Sequence, residues 1–270
     1  MKHTSLIAAI FGLIFAFPFA GQADTSYLVN NTTADAFLAR GSAANPLGSD
    51  LTSVNFGGAG TLAIAPASAT KGEYDSIIKF NLAGAVSQFN TTYGAGNWQI
   101  SGLTLSLASN FGTQGAQPNN SNFNTINAGS FGIDWLPYDG WTEGTGSGNG
   151  TPGYPNNSFV SFNSISTLFS AGYDSLSTYT YTPPGNNVYA NYSLPLDSSL
   201  VSDATAGGDV SLYFYAADNQ VNYLFNARSY ASNHPELTLT AALVPEPATG
   251  ALLAAALGGF LLSRKHARKG

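Results

Sequence analysis

Apolar and polar residues alternate along most of the chain between residues 24 and 243. Alternate side chains of a strand point to the same face, so a period of two predicts strands with one buried face. The pattern predicts six strands, at residues 74–80, 103–107, 131–135, 210–216, 221–225 and 237–241. Because they are short and separated by turns rich in Gly, Pro and Asn, they favour an all-β fold, a jelly-roll β-sandwich in a single domain.

Few segments of this region break the alternating pattern. Only two stretches, residues 164–169 and 198–206, have a helical pattern, each long enough for one or two turns. Residues 110–129 and 144–158 are polar stretches rich in Gly and Asn, which predict long loops. Loops of this length either carry a binding function or are solvated excursions without a role.

The N-terminus has the three parts of a secretion signal. Lys2 and His3 precede an apolar run at residues 6–17, and Pro18 ends that run before a stretch of small residues. A buried core helix would need a polar face, which this stretch lacks. The sequence therefore predicts a signal helix at residues 1–23, removed by cleavage after Ala23.

The C-terminus, residues 244–270, combines a proline-rich motif, an apolar run and a basic end. The motif is Val244, Pro245, Glu246 and Pro247. The apolar run at residues 248–262 predicts a short transmembrane helix about 23 Å long, which is less than the thickness of the hydrocarbon core, roughly 30 Å. The anchor residues are Ala248, Leu252, Leu253, Leu257, Phe260, Leu261 and Leu262, and the cytoplasmic basic stop is Arg264, Lys265, Arg268 and Lys269.

This tail resembles the PEP-CTERM sorting signal of Gram-negative bacteria. The resemblance implies export through the secretion translocon, cleavage by signal peptidase, transient anchoring in the inner membrane and processing by an exosortase. It implies release of the body to the cell surface or an extracellular polysaccharide matrix. The alternative is an uncleaved tail anchor.

The composition of the body excludes several classes of function. Charged residues make up 9% of the chain, and residues 24–243 hold four Lys or Arg against fourteen Asp or Glu. A surface so poor in cations predicts no binding of nucleic acid, which needs clustered Lys and Arg. Cysteine is absent, which excludes disulfides, thiolate metal ligands and a cysteine nucleophile.

Three segments of the body resemble the DNRLRE family. They are residues 34–41 (ADAFLARG), residues 77–82 (IIKFNL), and residues 223–228 (YLFNAR) followed by residues 234–237 (HPEL). Two departures are Asn81, where the family usually has Asp, and residues 227–229 (ARS), where it has Ser-Arg-Glu. The resemblance implies a jelly roll related to carbohydrate-binding modules.

The residues of the body favour no catalytic site. His234 is the one histidine between residues 24 and 243, and it precedes Pro235 as surface turn residues often do. One histidine cannot supply a zinc hydrolase site, and no Gly-x-Ser-x-Gly elbow accompanies it. A carboxylate pair for glycoside hydrolysis stays open, since residues 133–143 (IDWLPYDGWTE) contain Asp134, Asp139 and Glu143.

The same segment is the candidate glycan-binding site. Trp135, Tyr138, Asp139 and Trp141 combine aromatic rings, on which sugars stack, with a carboxylate. The alternative is that both tryptophans fill the core and the acids cap turns. Three functions remain open: a polysaccharide-binding surface protein, a purely structural matrix component, and a secreted polysaccharide hydrolase or lyase.

No cofactor is predicted. A structural calcium ion is a weaker hypothesis, because the body contains eleven Asp and jelly rolls often hold such an ion. Asp35, Asp75 and Asp218 are conceivable ligands near strand ends.

Overall fold

Two antiparallel sheets make up the body. A computed structural model describes residues 23–45, 48–68, 70–110, 129–145, 159–181 and 185–244. Across the smaller sheet the order is β1 (Thr25–Val29), β11 (Glu236–Leu243), β5 (Trp98–Ala108) and β8 (Tyr189–Leu194). Across the larger sheet it is β10 (Tyr223–Asn226), β3 (Thr61–Ser68), β4 (Gly72–Asn81), β9 (Asp209–Ala216), β6 (Ser130–Leu136) and β7 (Asp174–Thr180), with β2 (Ala34–Ala39) also paired to β4.

The main hydrophobic core lies between the two sheets. In β9, Val210, Leu212 and Phe214 belong to this core together with Leu105 of β5 and Leu239 of β11. The period of two therefore has the expected physical cause, because alternate side chains enter the shared core. The prediction of a β-rich fold of packed antiparallel sheets is confirmed at this level, and all six predicted strands are present as β4, β5, β6, β9, β10 and β11.

Strands β1, β2, β3, β7 and β8 were not among those predicted by alternation. All six residues of β2 are buried, so that strand shows no contrast between an inner and an outer face. Strand β7 lacks the alternation for the opposite reason, because its sequence, DSLSTYT, contains mainly hydroxyl-bearing residues. A strand that is buried on both sides, or polar on both sides, gives no signal of period two.

The two predicted helical segments are confirmed. A 3₁₀ turn (Phe162–Ser164) leads into α2 (Ile165–Leu168), and α3 spans Ser198–Ala206. The expectation that no other segment is helical is wrong, since α1 spans Ala83–Tyr93. Its buried side is the narrow stripe of Ala85, Phe89 and Tyr93, and the residue before the helix, Leu82, has no polar side chain to cap it. That spacing of four is the one sequence signal for α1, and it is weaker than a full amphipathic face.

Helix α3 begins at a side-chain cap. The Asp197 carboxylate accepts hydrogen bonds from the backbone N–H groups of Ser199, at 2.8 Å, and Leu200, at 3.3 Å. We expect Asp197→Ala to lower the free energy of unfolding by about 1 kcal/mol, because those N–H groups lose their acceptor. Urea unfolding checks this, with the exposed Ser202→Ala in the same helix as the control. Equal midpoints for both variants would contradict the role of the cap.

The outer face of the larger sheet is covered in part by a second hydrophobic cluster. Ile77 of β4, Leu136 of β6 and Tyr213 of β9 pack there with Trp141 and Leu168 from the segments that follow β6. These segments therefore lie against the sheet and determine the surroundings of the polar side chains near them.

The backbone hydrogen bonding of the smaller sheet extends to Val244, the first residue of the predicted sorting motif. The backbone N–H of Val244 donates to the carbonyl of Asn97 at 2.9 Å. Pro245, Glu246 and Pro247, the anchor, the basic stop and nearly all of the signal segment lie outside the described residues. Within the described ranges, no helix has the length and apolar character needed to cross a bilayer.

Candidate functional site

Residues 133–143, the segment richest in aromatic and acidic side chains, leave β6 and continue as a loop against the outer face of the larger sheet. The structure separates the members of the predicted glycan site. Trp135 belongs to the core between the sheets, whereas Trp141 belongs to the outer cluster. Tyr138 is half-buried against that same cluster.

Both tryptophans are packed inside the protein. Trp135 is 9% exposed and its Nε1–H donates to Asp203 of α3 at 2.9 Å. Trp141 is 6% exposed and its Nε1–H donates to the Ser211 hydroxyl at 2.9 Å. Sugar stacking needs an exposed ring face, and neither tryptophan presents one. The reason is that each indole completes a core, one on either side of the larger sheet.

Lys79 holds the loop that contains Asp139 and Trp141. Its ammonium group donates to the main-chain carbonyls of Asp139, at 2.8 Å, and Trp141, at 3.1 Å, and lies 4.7 Å from the centre of the Trp141 ring. The hydroxyl of Ser211 donates to the Asp139 carboxylate at 2.6 Å. Burial raises the pKa of Asp139, and the Ser211 donor opposes that rise. Asp139 therefore has a clear structural role in fixing the loop.

A second polar cluster lies at the edge of the larger sheet, beside β2. The guanidinium group of Arg228 pairs with the Glu143 carboxylate, and the backbone N–H of Arg228 donates to Asp35 at 2.6 Å. The hydroxyl of Thr32 donates to the same Asp35 oxygen at 3.1 Å. Burial, together with the nearby charge of Glu143, raises the pKa of Asp35 to about 7, although the backbone N–H of Arg228 opposes that rise. Asn55 ties the cluster to the covering loop, because its amide donates to the Val160 carbonyl at 2.8 Å.

These contacts bring together three segments that are far apart in sequence, residues 34–41, 77–82 and 223–228. Strand β2, from the first segment, pairs with β4, from the second, and Arg228 of the third contacts Asp35 of the first. The convergence explains how residues far apart in sequence share one neighbourhood. Lys79, Asp203, Ser211 and Arg228 were not identified as site residues from the sequence, because no spacing links them to residues 133–143.

The carboxylates proposed as a hydrolase pair have separate partners. Asp139 accepts from Ser211, and Glu143 accepts from Arg228. Asp134 lies beside Ser175, and its Oδ1 accepts no hydrogen bond from the described residues. Glu143 and Asp35 are close neighbours, but both are buried beneath the loops and neither lines the two grooves found at α3.

His234 lies in the connection from β10 to β11, where a turn was predicted. Its carbonyl accepts a hydrogen bond from the Tyr189 hydroxyl at 2.9 Å. Its ring Nδ1 is buried and has no hydrogen-bond partner among the described residues, so no carboxylate orients the imidazole as in a catalytic triad.

The three conceivable calcium ligands are separate and bound to protein groups. Asp35 and Asp75 are buried within strands, and Asp75 accepts a hydrogen bond from the Tyr213 hydroxyl at 2.6 Å. Asp218 accepts from the backbone N–H groups of Ser130, at 2.8 Å, and Gln220, at 2.8 Å. In the part of the chain that the structure describes, no three acidic or histidine side chains come together as a metal site.

An open groove is lined in part by Trp135. Its volume is about 590 Å³. Trp135 and Pro137 supply an apolar side, and α3 supplies a polar side with a carboxylate and three hydroxyls; the α3 residues are Ser198, Ser199, Ser202, Asp203 and Ala206. A second groove, of about 480 Å³, lies between α1 and the end of α3.

The Trp135 groove combines the two features that a sugar site needs. The small exposed part of Trp135 and the side chain of Pro137 can contact the C–H groups of a sugar without ring stacking, and the hydroxyl and carboxylate groups of α3 can exchange hydrogen bonds with the sugar hydroxyls. No protein-family model matches the chain, and no curated protein matches it.

Proposed function

We propose that this protein is an exported cell-surface or extracellular-matrix protein whose body binds polysaccharide without cleaving it. The N-terminal signal and the PEP-CTERM-like tail support export, transient anchoring and processing by an exosortase. We also propose that the two sheets have a jelly-roll topology, on the basis of the resemblance to the DNRLRE family. The scarcity of cationic residues in the body supports an uncharged ligand, because residues 24–243 contain only four Lys or Arg that could bind anionic groups. Two of these four already have partners within the protein: Lys79 binds loop carbonyls, and Arg228 pairs with Glu143.

The groove beside Trp135 is the observation that carries the proposal. Asp203 holds the indole N–H, so the ring position is fixed before a ligand arrives. Ser199 and Ser202 place hydroxyls along the same groove. A fixed apolar wall with nearby hydrogen-bonding groups loses little conformational entropy on binding.

A hydrolase or lyase is less well supported. Catalysis of glycoside hydrolysis needs two carboxylates on opposite sides of the scissile bond. The Trp135 groove is lined by one carboxylate, Asp203, which already accepts the Trp135 N–H.

A purely structural matrix component is the second candidate. It is favoured by the burial of Trp135 and Trp141 and by the internal partners of both indole N–H groups. Such a protein would show no retention on any glycan.

Blocking the groove tests the proposal. We expect Ser202→Arg to weaken glycan binding at least about tenfold, because the long charged side chain would project into the groove and obstruct a ligand there. Thr205→Arg is the matched control, since Thr205 is exposed on the same helix and does not line the groove. The full chain, purified in mild detergent, is applied to a glycan array with and without calcium.

Binding that survives in Ser202→Arg at the level of Thr205→Arg would contradict the groove as the binding site. A wild-type protein that binds no glycan, with or without calcium, would favour the structural component instead.

A further inference from the structure

A tyrosine lies flat across the outer face of the larger sheet. Tyr215 of β9 is paired in register with Gly132 of β6. A Cβ atom placed on Gly132 would lie 2.2 Å from Cζ of the Tyr215 ring. Gly132 has no positive φ, so glycine is needed here for space and not for backbone conformation. The ring therefore rests directly on the backbone of β6, a known way to cover a strand glycine with an aromatic residue.

Further aromatic rings extend from Tyr215 toward β7. The ring centres of Tyr215 and Tyr213 are 6.5 Å apart with their planes nearly parallel, at 28°. Phe169 packs edge-on against Tyr213 at 5.0 Å and against Tyr173 at 4.9 Å. Tyr213 is buried, whereas Tyr215 and Phe169 are partly exposed and Tyr173 is 54% exposed. The row thus offers aromatic surface from β9 to the start of β7.

Polar groups that accept hydrogen bonds lie between these rings. Asp134 of β6 is paired in register with Tyr213 on one side and Ser175 on the other. Its side chain is 4% exposed, and its Oδ1 has no hydrogen-bond partner among the described residues. Thr178 of β7, paired with Gly132, is exposed. A buried carboxylate oxygen without a donor favours a ligand that brings hydroxyl groups.

We infer that this surface, the Tyr215 face (Asp134, Phe169, Tyr173, Thr178 and Tyr215), is a second contact site for a neutral polysaccharide. The inference rests on the proposed function and adds a site outside the Trp135 groove. A sugar ring would stack on the open side of Tyr215, and its hydroxyls would donate to Asp134 and exchange hydrogen bonds with Thr178. The chemistry fits a sugar better than a protein partner, because protein hot spots fill pockets and this ring lies flat on a sheet.

Three substitutions test the face. We expect Tyr215→Ala to weaken binding about tenfold through loss of the stacking surface. Tyr215→Phe, which keeps the ring, should stay within about twofold of wild type. Gly132→Ala should weaken binding about as much as Tyr215→Ala, because the new methyl group would displace an unchanged tyrosine from its position.

The measurement is affinity electrophoresis of the full chain through gels containing dextran, hydroxyethylcellulose or xylan. Tyr230→Ala, at a partly exposed tyrosine of the loop after β10, is the matched control. Far-UV circular dichroism and urea midpoints confirm that each variant is folded. Ser202→Arg is run beside them to report on the groove alone.

The outcomes separate the two proposals. If wild type is retarded and Tyr215→Ala migrates like Tyr230→Ala, the Tyr215 face is not a binding site, and the proposed function stands on the groove. If Gly132→Ala binds normally while Tyr215→Ala does not, the flat position of the ring is irrelevant and the inference fails. If no gel retards the wild type, the proposed function and the inference fail together.

Discussion

Replacing Trp141 by alanine is expected to lower the free energy of unfolding by about 3–5 kcal/mol, the usual cost of removing a buried aromatic side chain. Trp141 fills the cluster on the outer face of the larger sheet and is 6% exposed. Its loss would also remove the ring beneath the Lys79 ammonium group and the N–H that Ser211 accepts. Urea unfolding followed by tryptophan fluorescence and circular dichroism measures the change.

Trp141→Phe separates packing from hydrogen bonding. The smaller ring still fills much of the space and can still lie near Lys79, but it has no N–H for Ser211. We expect a loss of about 1–3 kcal/mol, between the wild type and Trp141→Ala. A Trp141→Ala protein as stable as the wild type would contradict the buried position of the ring.

This expectation changes how glycan-binding experiments on Trp141 must be interpreted. A loss of retention in Trp141→Ala would follow from a damaged outer cluster as readily as from a lost sugar contact. Substitutions outside the packed clusters, such as Ser202→Arg at an exposed position and Tyr215→Ala at a partly exposed one, are therefore the informative ones.

Stability is expected to fall as the pH rises from about 4 to about 7. Burial raises the pKa values of Asp35 and Asp75 to about 7 in the folded protein, against 3.8 for an unperturbed Asp. Between those values the folded protein binds more protons than the unfolded chain, so raising the pH favours unfolding. Each group contributes up to about 4 kcal/mol over this window, and the effect ends above about pH 7. Burial shifts the pKa values of Asp134, Asp139, Glu143 and Asp203 in the same direction.

Asp75→Asn isolates one of these groups. The amide oxygen can still accept the Tyr213 hydroxyl, and no charge forms as the pH rises. Arg40 and Glu73, the charged groups nearest Asp75, remain in place. We expect the variant to be at least as stable as wild type at pH 8 and to show a weaker dependence on pH between 4 and 7.

Urea midpoints at pH 4.5, 6 and 8 measure this dependence. Asp50→Asn is the control, because Asp50 is exposed and its pKa is lowered by its hydrogen bonds with Thr52, which places its titration below this window. A wild-type midpoint that rises from pH 4.5 to pH 8, or an Asp75→Asn protein with the wild-type slope, would contradict the assignment.

Much of the fold could be predicted because its signals are local. In strand β9, the core residues Val210, Leu212 and Phe214 alternate with Ser211 and Tyr213. This alternation is present in the sequence regardless of which segment packs on the outer face of the sheet. Helix α3 was predicted over its full length, residues 198–206, and the structure adds the carboxylate cap from Asp197. The predicted export signals are local in the same sense, since each is a short run of residues defined by composition and order.

The surroundings of the candidate residues could not be predicted in this way. The pattern Trp135–Tyr138–Trp141 is the same whether the rings face solvent or a core. Which occurs depends on α3, whose Asp203 holds Trp135, and on β4 and β9, whose Lys79 and Ser211 hold Trp141. The Tyr215 face was missed for the same reason, because Gly132 and Tyr215 are neighbours only through the pairing of β6 with β9.

The sequence by itself determined the period-two strands, the helix at residues 198–206 and the scarcity of charged residues in the body, since each depends on residues near one another in the chain. The sorting signals predicted at the two ends rest on the same kind of local pattern and stay predictions. Only the tertiary structure decided that both tryptophans are buried, that Glu143 pairs with Arg228 and that Tyr215 lies on Gly132. The physical reason is that burial and pairing depend on which distant segment covers a given face, and a period of two specifies the faces of a strand without specifying what packs against them.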